Sequence, residues 1–65
     1  MTPKMARQAV IEIERNRHDS EMAHYAEDRL WADVLEHIAL GGRNGKALAM
    51  IALSTRDIDF SRWYA

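Results

Sequence analysis

An all-α fold is predicted, on three observations. The chain's one proline is Pro3, so nothing from residue 4 to residue 40 forces a helix to stop. All three glycines fall at Gly41, Gly42 and Gly45, which marks one sharp turn. Between these markers apolar residues recur at helical spacing, and no stretch supports a strand. The expected architecture is a single small domain, residues 1–65. A long N-terminal amphipathic helix, with a break near 15–20 left open, leads through a Gly-rich turn at 41–45 into one or two short helices, as a hairpin-like unit.

The first helix begins at Thr2 and Pro3. A threonine hydroxyl satisfies free amides at a helix start, and proline suits the first helical position. Ala6, Ala9, Val10 and Ile13 form its apolar stripe, with Met5 and Ile11 beside it. Residues Glu14 to Glu21 are all polar. They form either a solvated mid-helix or a break at which Asn16, Asp19 or Ser20 caps a second helix. With no glycine or proline there, and Arg15–Asp19 and Arg17–Glu21 at i,i+4 spacing, one long helix or two nearly collinear ones is the favoured reading. From Met22 the stripe returns as Ala23, Ala26, Leu30, Val34 and Ile38, widened by Trp31 and Leu35. Glu27, Asp28, Asp33 and Glu36 are assigned to the polar side.

Gly41 and Gly42 close this helix, and Asn44 reads as the cap of the next, which runs through the apolar Ala47–Leu53. Ser54-Thr55-Arg56-Asp57 is a further capping signal. A last short helix carrying Ile58, Phe60, Trp63 and Tyr64 is expected after it, with an extended Asp57–Phe60 segment as the alternative.

Sixty-five residues bury a marginal core, and without cysteine neither disulfides nor the common structural zinc sites can reinforce it. Self-association remains. A hydrophobic fraction of 48% exceeds what a lone helical hairpin hides, so a homodimer, or a core completed on a partner, is expected. Trp31, Met50, Trp63 and Tyr64 are the candidate protein-interface anchors. Neither a secretory signal nor a membrane-spanning run is visible, which predicts a cytoplasmic protein without membrane contact.

Catalysis finds little support. His18, His24 and His37 are the candidate proton-transfer groups, and His24 with Glu27 or Asp28, or His37 with Asp33, offers two potential ligands where a metal needs more. No phosphate-binding loop or serine-nucleophile motif is present. The expectation is a non-enzyme without cofactor, metal or small-molecule substrate.

Charge is divided unevenly. Residues 1–40 carry five Lys and Arg against eight Asp and Glu, a net of −3, whereas residues 41–65 carry four against two, a net of +2. Nucleic acid, if bound, falls to the second half. There Val34-Leu35, Ile38-Ala39, Gly41, Lys46, Leu48-Ala49 and the run Leu53 to Arg62 resemble the C-terminal helix-turn-helix of LuxR/FixJ-type transcription regulators. The turn is one residue longer than in that family, and the stretch from Ala49 to Ser54 one residue shorter. The resemblance implies a recognition helix with Thr55, Arg56 and Arg62 on or beside it, and Arg43 and Lys46 near phosphates. The expected function is a regulatory binding protein, a small transcription regulator using a degenerate helix-turn-helix in residues 30–65. The alternative is a small inhibitor or modulator of another protein, antitoxin-like or phage-encoded, acting through an exposed apolar helical face.

Overall fold

The computed structural model describes residues 1–62. They form α1 (Pro3–Arg15), α2 (Ser20–Ala39) and α3 (Gly45–Leu53), which runs directly into a 3₁₀ turn, Ser54–Asp57. Residues 58–62 are not helical, and no strand occurs among the described residues.

The start of α1 is as expected: Thr2 Oγ1 accepts from the Met5 amide at 3.2 Å, and Pro3 opens the helix. The break near 15–20 is real, but the two helices are not collinear. Asn16 ends α1 by competing with its backbone, its Nδ2 donating to the Glu12 carbonyl at 2.8 Å. Asp19 then caps α2, its carboxylate accepting from the Met22 amide at 3.2 Å. Four residues, 16–19, reverse the chain. Ala6 and Ile13 of α1 thereby reach one core with Ala23, Leu30 and Val34 of α2, and burying both stripes against each other outweighs the weak surface pairs that favoured continuity. Those pairs form differently. Arg15 bonds Glu12 at 3.1 Å and Arg17, in the turn, bonds Glu14, so both pair back onto the end of α1 rather than forward across the break.

At the other end of α2 the glycines act as predicted. Gly41 takes the left-handed conformation (φ +79°), its amide donates to the Ile38 carbonyl at 3.0 Å, and the Gly42 amide donates to the His37 carbonyl at 2.9 Å. This pair of bonds is a Schellman motif. Asn44 does stand at the cap position of α3, but it is left-handed (φ 63°) and its side chain makes no capping bond; its carbonyl instead accepts from the Leu48 amide at 2.9 Å. α3 then gives Leu48 and Ala52 to the core, while Ala47, Met50 and Leu53 remain exposed.

Residues 58–62 do not form the expected last helix, and its Trp63 and Tyr64 lie outside the described residues. Ser54 and Thr55 turn their hydroxyls back onto the carbonyls of Ile51 and Ala52, which leaves neither free to cap a new helix. The chain extends at Ile58 (ψ 124°). Ile58 and Phe60 point into the core and Asp59 into solvent, the two-residue alternation of an extended segment.

The turn yields a prediction. His37 Nε2 donates to the Arg43 carbonyl at 2.7 Å, and its ring lies so close to Gly42 that an added Cβ would fall 2.3 Å from it. Gly42→Ala should therefore displace the ring and cost about 1 kcal/mol through the lost hydrogen bond. In a His37→Ala background the same change should be nearly neutral. Urea unfolding of the two single variants and the double variant measures the coupling.

Candidate functional site

Among the described residues Glu27 is the one side-chain carboxylate with under a tenth of its surface in solvent (6%), a correction to its assignment on the polar side of α2. It lies on the stripe that buries Ala23, Leu30 and Val34, and a lone charge there is expensive. Arg62 answers it. Nε donates to Glu27 Oε1 at 2.9 Å and Nη2 to Oε2 at 3.1 Å, a bidentate fork. The same guanidinium donates to the carbonyls of Thr55 (2.7 Å), Ile58 (2.9 Å) and Phe60 (3.3 Å), and its carbon sits 3.7 Å from the Phe60 ring centroid. Burial pushes the Glu27 carboxyl pKa up. Hydrogen bonds from Arg62 and Thr55 and the charges of Arg62 and His24 outweigh that, and the pKa lies below its ordinary value.

Thr55 links this pair to α2 by a second route. It is wholly buried, its hydroxyl donates to the Ala52 carbonyl at 2.9 Å, and the Trp31 indole N–H reaches both Thr55 Oγ1 and the Ala52 carbonyl at 3.0 Å. Among the described residues no buried side-chain nitrogen or oxygen lacks a hydrogen-bond partner, those of this cluster included. Thr55 and Arg62 are thus removed from the nucleic-acid contacts implied by the resemblance, because one is enclosed and the other has its donors engaged inside the fold.

Arg43, Lys46 and Arg56 are exposed, with no ion pair among the described residues. They do not form one cluster: Arg43 and Lys46 flank the start of α3, and Arg56 follows its end. The segment implied as a recognition helix is the 3₁₀ turn and the extended chain after it.

Of the proposed interface anchors, Trp31 is half-buried and Met50 is 64% exposed, while Trp63 and Tyr64 lie outside the described residues. Trp31 does not project from the surface. With Val34, Leu35, Ile38, Ala49, Ala52 and Leu53 it lines an open groove of about 280 Å³ between α2 and α3. Leu35 is 65% exposed at its edge. Leu35, Ile38 and Leu53 were assigned to the core stripes, so the groove was missed, although a stripe broader than one neighbouring helix can cover was the signal for it.

Two histidines have partners, and His37 Nδ1 also lies 3.4 Å from the N-terminal nitrogen of Met1. His24 Nε2 lies 3.3 Å from Asp28, and His37 bonds the turn rather than Asp33. Among the described residues no group of three or more His, Cys, Asp and Glu is placed to hold a metal.

The ion pair sets two expectations. Arg62→Ala leaves a buried carboxylate unpaired and should cost about 2 kcal/mol, the low side for a broken buried pair because a third of Arg62 is in water. Because the folded-state pKa of Glu27 is lowered, its stabilisation is complete above the ordinary glutamate range and is lost as pH falls through the folded value. Glu27→Gln should therefore be less stable than wild type at about pH 7, and the gap should close towards about pH 3. Urea unfolding at both pH values checks both.

No protein-family model matches the chain, and no curated protein or solved structure matches it.

Proposed function

We propose that this chain is a non-enzymatic regulatory protein that works by protein–protein contact, with the α2–α3 groove receiving an amphipathic helix. The observation that carries this reading is the groove itself. Its lining is almost wholly apolar, its floor is Trp31 held by two hydrogen bonds, and its edges are Leu35, Ile38 and Leu53, each at least 40% exposed. Large apolar side chains gathered at one cleft, rather than scattered singly, are the mark of an interaction surface. A helix laid there would put residues at i, i+3 and i+4 into the cleft. The floor is preorganised, so binding need not freeze the Trp31 side chain.

Arg43, Lys46 and Arg56 support a second reading, binding to nucleic acid, since they are exposed and without ion-pair partners. It is the weaker of the two. The three cations lie at opposite ends of α3, and Asp57 and Asp59 are exposed near Arg56.

Salt and nuclease separate the readings. Captured from lysate on immobilised protein, the partner should survive nuclease, persist at about 0.5 M salt, and be lost with Leu35→Asp. Capture abolished by nuclease or by Arg56→Ala, and indifferent to Leu35→Asp, would instead support nucleic acid and sink the groove reading.

A further inference from the structure

Resting on the reading of the groove as a protein-binding surface, we infer that its occupant is a second copy of this chain, seated antiparallel about a two-fold axis near Leu35. α2 carries two stripes. One is buried within the fold, and the other, Asp28, Ala32, Leu35 and Ala39 at i, i+4, i+7 and i+11, is exposed along its whole length beside the groove. A stripe of this spacing is what one helix presents to another, and the small Ala32 and Ala39 on either side of Leu35 let two backbones approach closely. The amphipathic helix that the groove requires is therefore present on the same molecule.

Charge selects the orientation. Asp28 lies seven residues before Leu35, about 10 Å along the helix axis, and Arg43 and Lys46 lie on the other side of Leu35, in the turn that folds back beside His37 and Ile38. A two-fold rotation about Leu35 brings Asp28 of each copy to the turn end of the other's α2, towards Arg43 and Lys46. Asp28 keeps 68% of its side chain in solvent beside His24, and Arg43 and Lys46 are exposed and have no ion pair among the described residues. A parallel arrangement would set Asp28 on Asp28 and Lys46 on Lys46, which repel. A small core without cysteine, and without a metal-holding group among the described residues, also gains most from a second copy.

The size of the face predicts a modest dimer. An interface centred on one exposed leucine between two alanines belongs with the low end of stable interfaces, about 600 Å² per partner, so association should fall in the micromolar range. Sedimentation velocity from about 5 to 500 µM should show the mass rising from 7.5 kDa towards twice that value. Leu35→Asp should remain a monomer at the top concentration, with unchanged helical circular dichroism and melting, because Leu35 is 65% exposed in the single chain. Lys46→Asp and Asp28→Lys should each weaken the dimer several-fold, and the double variant should recover it.

A monomer at 500 µM, a dimer that Leu35→Asp leaves intact, or a charge swap without recovery overturns the inference. A monomeric protein that still captures a nuclease-resistant, Leu35-dependent partner overturns the dimer while leaving the protein-binding reading in place. A monomer that captures nothing of that kind overturns both.

Discussion

A carboxylate buried at the middle of α2 constrains the rest of the molecule. Leaving Glu27 charged and unpaired in that position would cost several kcal/mol, a large share of what so small a domain has to spare. The chain supplies the counter-charge from 35 residues away, and only an extended segment brings it there. Residues 58–62 accordingly run as a strap, with Ile58 and Phe60 inward and Arg62 forked onto Glu27. A helix over the same residues would spread these side chains around its axis at 100° per residue instead of alternating them between core and solvent. Arg62 also donates to the Ile58 and Phe60 carbonyls, which an extended segment without a sheet partner would otherwise leave unmet, and shares the Thr55 carbonyl with the Ile58 amide.

What the strap and α1 cover decides what remains open. α2 is approached from one side by α1 and from another by α3, and its apolar residues extend further around the helix than these neighbours reach. The excess falls at Leu35 and Ile38, and α3 adds Met50 and Leu53, because the Ala47–Leu53 run is apolar on all sides and a nine-residue helix packed on one face can bury only part of it. The exposed surface is thus the direct result of an apolar composition placed on too few elements.

The fold was legible in the sequence wherever a residue's local chemistry decides its conformation. Thr2-Pro3 and the Gly41-Gly42 closure behave as their side chains dictate, and Asp19 was among the named candidates for the second cap. What local chemistry could not decide was any choice settled by distant contacts. The reversal at 16–19 depends on the apolar stripes of α1 and α2 meeting, and the polar run between them fits a solvated helix equally well. Ser54 and Thr55 present the same letters whether they cap forward or bond back, and it is the burial of Thr55 against Trp31 that settles the direction. Glu27 was read as solvated because a glutamate usually is, although its spacing from Ala23, Leu30 and Val34 places it on the buried stripe. Its partner, in a segment that reads as a short last helix, could not be inferred from either residue alone.

The same hydrogen bonds that hold the strap also hold the floor of the groove. Arg62 donates to the Thr55 carbonyl, the Thr55 hydroxyl accepts from Trp31, and Trp31 and Thr55 share the Ala52 carbonyl of α3. Thr55 is therefore the point at which a buried charge, the 58–62 strap and the apolar groove are joined. A tryptophan free to rotate would bring a large apolar area to a partner but lose conformational entropy when bound. Fixed by a wholly buried threonine, it presents that area with the entropy already lost during folding. Arg62, which the sequence suggested as a contact to an external ligand, instead contributes from inside, by keeping rigid the surface on which such a contact would be made.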